Sequence, residues 1–215
     1  MEIPLNKTLK RQIHKEVAAL QDEATEIVYS VLPEATLHGG TAIWRCYSGK
    51  RFSEDLDFYA KAGKTLKDQI GQECSKRNLE MTKYRQTENT IFSKISDGKT
   101  SVGIEIALRN YTKKEVRSYD KADGSTMEIF TLSPEELLLE KMNAYTNRKL
   151  IRDLYDVMFL SSKITPTPKI MEEAEKFLKN PPKPLDEKNL KTILYSGICP
   201  SYSQMIDAIK RRLHE

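Results

Sequence analysis

The feature that most restricts the fold is a helix start within "TLSPEELLLEKMNAYTNR", because the sequence pattern differs on its two sides. Ser133 and Glu136 have the spacing of a capping box, and Pro134 occupies the first helical position. After this point apolar residues recur mostly at helical spacing, with breaks at the proline-containing stretches "ITPTPKI" and "NPPKPLD". We therefore predict a helical C-terminal lobe over residues 132–215.

The region before this boundary combines helices with strands. Apolar residues between Leu9 and Leu32 recur on one helical face, and Pro33 ends that helix. Strand patterns follow at 36–38, 56–60, 79–85, 90–95, 102–108 and 126–130, with helices predicted over 41–47 and 64–78. The sequence therefore predicts an α+β fold, in which residues 1–131 form a mixed sheet with helices.

Composition narrows the class of protein. With 31% charged and 39% apolar residues, the chain has the make-up of a globular protein and not of a disordered one. Its formal net charge of +4 permits a polyanionic partner without requiring one. No apolar stretch approaches the roughly 18 residues of a membrane span, so we expect a cytoplasmic protein with no membrane partner. Three widely spaced cysteines, Cys46, Cys74 and Cys199, are predicted to be reduced core thiols.

The stretch "LHGGTAIWRCYSGKRFSEDLDFYA" places two aspartates on a predicted strand. Asp55 and Asp57 would project from the same strand face about 7 Å apart, where they repel each other unless positive charge lies between them. A divalent metal supplies such charge, and Mg²⁺ is held in proteins by few carboxylates together with water and substrate phosphates. The preceding Gly39-Gly40 turn could bring backbone N–H groups to a phosphate. The intervening loop adds three cations, Arg45, Lys50 and Arg51.

These residues carry a resemblance to a known family. Gly39-Gly40-Thr41-Ala42, followed by the stretch from Arg51 to Phe58 ("RFSEDLDF"), resembles the first motif of the abortive-infection (AbiEii/AbiGii-type) nucleotidyltransferase toxins, a branch of the DNA-polymerase-β-like nucleotidyltransferase superfamily. The superfamily more often has Gly-Ser where this chain has Gly40-Thr41, which keeps a hydroxyl. A second motif is similar too, with Lys-x-x-Ala at Lys141 and Ala144 and Arg-Asp-x-x-Asp at Arg152, Asp153 and Asp156.

The resemblance implies a nucleotidyltransferase-type fold and a metal-dependent enzyme. Such an enzyme would move a nucleotidyl group from an NTP to RNA, at a tRNA 3′ end, as the toxin of a toxin–antitoxin or abortive-infection system. Two Mg²⁺ ions, with Mn²⁺ as a substitute, and a cognate antitoxin are further implied. Two alternatives stay open: transfer to a small molecule or a protein, and a non-catalytic NTP-binding module. Nothing in the residues selects the acceptor or the base transferred.

The resemblance also assigns roles to individual residues. The implied catalytic residues are Asp55, Asp57, Lys141 and Asp153. The implied nucleotide-binding residues are Gly40, Thr41, Arg51, Ser53 and Lys141. The metal ligands are Asp55, Asp57 and a third carboxylate, for which Glu105 is the candidate because it lies opposite the apolar face of "SVGIEIALRN". The alternative for Glu105 is an exposed side chain on a half-buried strand. Asp156 is predicted to be structural, bracing Arg152 or the helix join.

Clusters of basic residues are candidates for contacts with RNA phosphates, although a solvated face is the ordinary explanation for such runs. They are Arg109, Lys113, Lys114, Arg117 and Lys121 between two predicted strands, Arg148, Lys149 and Arg152 after Lys141, and Lys210, Arg211 and Arg212 near the end of the sequence.

Overall fold

A computed structural model describes residues 4–213 of the chain. It divides into two compact units: Met1–Cys46 with Phe52–Leu132, and Tyr47–Arg51 with Ser133–Glu215. The domain limits expected from sequence, 1–131 and 132–215, stay a prediction, and their outermost residues lie outside the described part. No helix among the described residues is long and apolar enough to cross a membrane.

The first unit contains a mixed sheet. Its described strands are β1 (Thr36–His38), β2 (Leu56–Ala60), β3 (Glu80–Gln86), β4 (Thr90–Ser96), β5 (Ser101–Leu108), β6 (Lys114–Asp120) and β7 (Thr126–Leu132). They form one seven-stranded sheet in the order β3-β4-β5-β2-β1-β7-β6. β2 is antiparallel to β1 and parallel to β5, and β1 is parallel to β7. The other neighbouring pairs are antiparallel hairpin neighbours.

Helices α1 (Leu5–Thr8), α2 (Gln12–Val31), α3 (Gly39–Cys46) and α4 (Leu66–Lys76) complete the first unit. α2 buries one apolar face, and Leu56 and Phe58 of β2 are fully buried with Ile104 and Ile106 of β5. Because side chains alternate along a strand, burial of Leu56 and Phe58 directs Asp57 to the other face of the sheet. The apolar pattern of β2 thus determines where its carboxylate projects.

The second unit is helical. It contains α5 (Pro134–Arg148), α6 (Ile151–Ser161), α7 (Pro168–Lys179), a 3₁₀ turn (Glu187–Asn189), α8 (Leu190–Ile193) and α9 (Tyr202–Leu213). α5 begins where the capping box predicts, since the Ser133 hydroxyl accepts a hydrogen bond of 3.3 Å from the Glu136 N–H. It ends at Arg148, and the capping residue Lys149 has a left-handed backbone with φ of 56°.

The predicted α+β class, with a mixed sheet followed by helices, is confirmed. Strand β6 was missed, because Lys114–Asp120 is predicted only as part of a basic cluster. β6 lies at an edge of the sheet, where Val116 is 53% exposed while Tyr119 is buried, so its apolar alternation is weak. Charged residues on such an edge discourage pairing with other chains.

The prediction that all three cysteines are core thiols is only partly confirmed. Cys74 is buried and Cys46 is partly exposed, whereas Cys199 is exposed, so the core prediction is wrong for Cys199. Cys199 lies in an irregular segment between α8 and α9, where no packed element covers it.

Candidate active site

Three carboxylates lie on two neighbouring strands of the first unit. Asp55 directly precedes β2, and Asp57 lies within it, paired with Glu105 of β5 and with His38 of β1. Paired residues of adjacent strands project from the same face of a sheet, so Asp57, Glu105 and His38 share the face opposite the Leu56 and Phe58 core. Asp55 and Glu105 are exposed and Asp57 is half-buried. The sheet therefore brings Asp57 and Glu105 side by side.

Asp57 and Glu105 line an open cleft of about 460 Å³, which we call the carboxylate cleft. Its other lining residues are His38, Tyr59, Asn89, Thr90, Ala107, Leu108 and Arg109. Over residues 4–213, no three His, Cys, Asp or Glu side chains are gathered at metal-binding distance. The set of Asp55, Asp57 and Glu105 is therefore not preformed as a metal cluster, and Glu105 as third ligand stays a prediction.

Two glycines let the aspartates pack against the main chain. Gly39 follows β1 with φ of 73°, and a Cβ added there would lie 3.2 Å from Asp57 Cγ and closer still to a carboxylate oxygen. Gly103 of β5 is similar, because its Cβ would lie 2.8 Å from Asp55 Oδ1. Neither position accepts a side chain while the carboxylates keep their places. Gly103 was not among the predicted site residues, although a glycine inside a strand pattern indicates such a close approach.

Buried polar side chains position the segment that leads into Asp55. The fully buried Thr41 hydroxyl donates to the Asp55 carbonyl at 2.6 Å. The Gln21 amide of α2 donates to the carbonyls of Ser53 and Glu54 at 2.9 and 2.8 Å. Thr41 and Ser53 are predicted nucleotide ligands, but the contacts found for them hold the main chain beside Asp55. Gly40, another predicted nucleotide ligand, is buried in α3.

The sequence led us to place Arg45 among the cations of the loop before Asp55, but the structure places it elsewhere. It lies on α3, fully buried, and donates to the carbonyls of Ala18 and Asp120 at 2.9 and 3.0 Å. It also lies 3.4 Å from the Asp22 carboxylate. Its guanidinium is thus committed to the interior of the first unit, and its predicted place among the phosphate-binding cations was wrong.

Arg51, a predicted nucleotide ligand, forms a buried ion pair within the second unit. Its Nε and Nη2 donate to the two carboxylate oxygens of Asp156 at 2.6 and 2.5 Å. Burial alone would raise the pKa of Asp156, but the adjacent Arg51 and Lys141 hold that pKa below its usual range. This bidentate contact occupies the donors expected to hold phosphate. Asp156 is therefore braced by Arg51, and its contact with Lys141 links α6 to α5, which agrees with the predicted structural role at the helix join and not with Arg152 as its partner.

Lys141 and Asp153 belong to the same cluster of the second unit. The Lys141 ammonium is largely buried and lies 2.9 Å from Asp156 Oδ2 and 3.3 Å from Asp153 Oδ1. Arg148 donates to the same Asp153 oxygen at 2.9 Å, whereas Asp153 Oδ2 is buried and has no hydrogen-bond partner among residues 4–213. The contact of Lys141 with Asp153 that the resemblance implies is present. Their parts in catalysis and nucleotide binding stay predictions.

Comparison of solved structures supports the fold. The chain is similar to JHP933 from Helicobacter pylori, with a TM-score of 0.61 and 18% identity over 86% of this chain and 80% of that one. It is also similar to MenT4, a nucleotidyltransferase toxin from Mycobacterium tuberculosis, with a TM-score of 0.59 and 18% identity over 96% of this chain and 86% of that one. No curated protein matches the sequence. At this level of identity the likeness establishes the fold alone.

The family is established by the sequence itself. A family model described as nucleotidyl transferase AbiEii toxin, type IV toxin–antitoxin system, matches residues 30–197. This range includes the Gly-Gly turn, both aspartates of the β2 region and the Lys141 and Asp153 motif. The chain therefore belongs to the AbiEii nucleotidyl transferase toxin family and is a nucleotidyltransferase.

Proposed function

We propose that this enzyme transfers a nucleotidyl group from an NTP to the 3′ end of a tRNA in the cytoplasm, as the toxin partner of a cognate antitoxin. The observation that carries the proposal is the packing of Asp55 and Asp57 against Gly103 and Gly39, beside the start of α3. The family description supports nucleotidyl transfer and an antitoxin partner. The RNA acceptor rests on the resemblance of the two motifs.

The two aspartates suit Mg²⁺. That ion binds to one or two carboxylates and takes its other ligands from water and substrate phosphates, so a preformed cluster of three protein ligands is not needed. Gly39 and Gly103 let both carboxylates lie against the main chain, a close approach that any larger residue would prevent. Asp55 and Asp57, with Glu105 as a proposed third ligand, would hold the ions, and Mn²⁺ could replace them. Two bound ions would neutralise the triphosphate and lower the pKa of the acceptor hydroxyl.

The residues of the first unit would orient the donor. Backbone N–H groups at the start of α3, beginning with Gly40, would bind the outer phosphates, as helix N-termini bind anions. Thr41 and Gln21 would act indirectly, by holding the main chain around Asp55 through their hydrogen bonds to its carbonyl groups. In the reaction the acceptor oxygen forms a bond to the α-phosphorus, the bond to pyrophosphate breaks, and the hydroxyl proton leaves to water.

Lys141 and Asp153 enter the proposal through their motif. Lys141 would stabilise the negative charge that grows on the leaving pyrophosphate, and Asp153 would orient the ammonium, which it contacts. The ion pairs with Asp153 and Asp156 give Lys141 a structural role as well. The catalytic role and the structural role predict different effects of substituting Lys141.

The experiment that tests the proposal is incubation of the protein with each labelled NTP, total RNA and Mg²⁺. We expect label from one NTP to enter small RNA, and only when a divalent metal is present. Asp57→Asn serves as the inactive control. Label on a protein or a small molecule in the absence of RNA would contradict the acceptor. Binding of NTP without label transfer to any acceptor would instead support the NTP-binding module.

A further inference from the structure

A second cleft of the first unit adjoins the carboxylate cleft. It has a volume of about 600 Å³ and is lined by residues 31–35, 59–61, 109–112 and 114. We call it the aromatic cleft. Tyr59 and Arg109 line both clefts, so the two are neighbours along the sheet. No residue of the aromatic cleft has a role in the proposed donor and metal sites.

Planar groups are stacked where the two clefts join. The rings of His38 and Tyr59 lie 3.8 Å apart with an interplanar angle of 11°, and the rings of Tyr59 and Tyr111 lie 5.3 Å apart at 22°. The guanidinium carbon of Arg109 is 3.7 Å from the centroid of the Tyr59 ring. Stacked aromatic and guanidinium planes are the surfaces on which proteins bind the bases of single-stranded nucleic acid.

The charges that line the aromatic cleft favour an anion. Lys61, Arg109 and Lys114 contribute positive charge, and Glu34 contributes the opposing carboxylate, which pairs with Lys114 at 2.5 Å. Cations therefore outnumber carboxylates in the lining. A ligand that combines a planar heterocycle with a phosphate, which is a nucleotide, matches both the stacked planes and the positive charge.

The direction of the strands distinguishes acceptor from donor. β2 runs from Asp55 and Asp57 to Ala60 and Lys61 in the aromatic cleft, and Tyr59 follows Asp57 on the same face at about 7 Å. β1 is antiparallel and ends at the Gly39 turn, where the triphosphate is proposed. Asp57 thus lies between the proposed phosphate-binding turn and the aromatic cleft. In an in-line displacement the attacking oxygen and the leaving group lie on opposite sides of the phosphorus.

We propose that the aromatic cleft binds the base of the 3′-terminal nucleotide of the acceptor RNA. Stacking on Tyr111 and Arg109 would hold the base, and Lys61 would contact the adjoining phosphate. The terminal ribose would then extend toward Asp57. This inference rests on the proposed function for the identity of the acceptor as RNA. It adds the site that holds the acceptor's end.

A binding measurement without NTP tests the cleft directly. The probe is a short single-stranded RNA with a 5′ fluorescent label, in one form intact and in a second form lacking only the 3′-terminal base. We expect the wild type to bind the intact RNA roughly tenfold more tightly, the usual effect of one stacked base. Tyr111→Ala should abolish this preference, whereas Tyr111→Phe should retain it. Tyr84→Ala, a half-buried tyrosine of β3 outside the cleft, is the matched control.

Steady-state kinetics then separate acceptor from donor. We expect Tyr111→Ala to raise the KM for RNA while the KM for NTP stays constant, with unchanged melting temperature as the check on folding. A raised KM for NTP alone would assign the cleft to the donor base and overturn the inference. Equal binding of both RNAs to the wild type would also overturn it, even if transfer to RNA occurs. Absence of transfer by a wild type that prefers the intact RNA would contradict only the proposed function.

Discussion

The carboxylates around β2 and β5 and those of α6 lie in opposite surroundings. In the first unit Asp55 and Glu105 are exposed and Asp57 is half-buried, with glycine backbone as the nearest wall. In the second unit Asp153 and Asp156 are fully buried and contact cations at 2.5 to 3.3 Å. A buried carboxylate destabilises a fold unless it is paired, whereas neighbouring exposed carboxylates repel and can be relieved by a bound cation. The exposed carboxylates near β2 are therefore suited to binding a cation, and the buried, paired carboxylates of α6 are suited to stabilising the fold.

The comparison implies that loss of a charge has opposite consequences in the two places. Removal of a carboxylate near β2 should impair the reaction and spare the fold. Removal of one member of the buried cluster takes an ionic partner from the others inside the second unit, so the fold should suffer first. Lys141 is the intermediate case. Its motif predicts a contact with the substrate, whereas its ion pairs with Asp153 and Asp156 indicate a structural role.

The largest effect is expected from Asp57→Asn or Asp55→Asn. Each substitution should lower nucleotidyl transfer by roughly a thousandfold or more, because a ligand for the metal is lost from the site of charge development. Stability without ligand should be unchanged or higher, since repulsion between the two aspartates is relieved. Label transfer and thermal melting measure the two quantities, and the exposed Asp68→Asn on α4 is the control. A destabilised but active variant would show that the aspartates are structural.

Asp156→Ala should have the next largest effect, on stability. The Arg51 guanidinium and the Lys141 ammonium would lose a buried partner, and breaking such a pair from one side typically costs about 3–5 kcal/mol. Urea unfolding at neutral pH measures the loss. The control is Glu172→Ala, which removes an exposed ion pair with Lys176 of α7 and should leave the free energy of unfolding nearly unchanged, because water screens such a pair. Equal losses for the two variants would remove the distinction between buried and exposed pairs.

Local signals explain which parts of the fold could be predicted from sequence. The start of α5 is specified within four positions by Ser133, Pro134 and Glu136, and the β2 strand by the alternation of Leu56, Asp57 and Phe58. Strand β6 lacks such a signal, because its alternation is weak and its pairing with β7 is not encoded in its own apolar pattern. Local chemistry was therefore sufficient for elements with caps or buried faces.

Parts of the site were predictable where residues are close in sequence or, as for Glu105, where strand alternation indicates the face. The aspartates and the Gly39 turn come from one stretch, so their association was expected. Arg51 and Asp156 are 105 positions apart, and nothing near Arg51 indicates that a carboxylate will neutralise it. A basic residue in a loop that follows a glycine turn is equally compatible with phosphate and with a distant acid. Only tertiary structure distinguishes the two.

Lys141→Ala and Lys141→Met sharpen the intermediate case. If the ammonium meets the triphosphate, both variants should lower turnover by several hundredfold. Because both also leave Asp153 and Asp156 without this partner, they should lower stability too, with methionine retaining more of the packing. Turnover must therefore be measured well below the melting temperature of each variant. Wild-type turnover in folded Lys141→Met would assign Lys141 to the scaffold alone.

The smallest effect concerns pH and compares Asp156 with Asp22, a buried carboxylate of the first unit. Burial raises the pKa of Asp22 by more than the nearby Arg45 and the Ala122 N–H lower it, so the pKa of Asp22 lies above its ordinary value. The pKa of Asp156 lies below its ordinary value, because Arg51 and Lys141 outweigh the effect of its burial. The ionised form is therefore disfavoured by folding at Asp22 and favoured at Asp156.

The opposite directions of the two pKa changes predict opposite pH dependence of stability. Asp156, with a lowered pKa in the folded state, contributes stability that is present above the unfolded value of about 3.9 and is lost as pH falls through the folded pKa. Asp22, with a raised pKa, favours the folded state at low pH, and this contribution is lost as pH rises from about 3.9 through its folded pKa. A tenfold difference in acid dissociation constant between the folded and unfolded states corresponds to about 1.4 kcal/mol of stability.

Urea unfolding of Asp156→Asn and Asp22→Asn between about pH 7 and about pH 3 tests this last comparison. The stability deficit of Asp156→Asn relative to the wild type should shrink as pH falls below about 4, because the unfolded wild-type chain then binds a proton at Asp156 that the folded protein does not. For Asp22→Asn, the wild type should instead gain stability relative to the variant as pH falls through the acidic range. Parallel curves for the two variants would mean that Arg51 and Lys141 hold Asp156 no more strongly than Arg45 holds Asp22. The proposed contrast would then fail, in which nearby cations fully offset the burial of Asp156 but only partly offset the burial of Asp22.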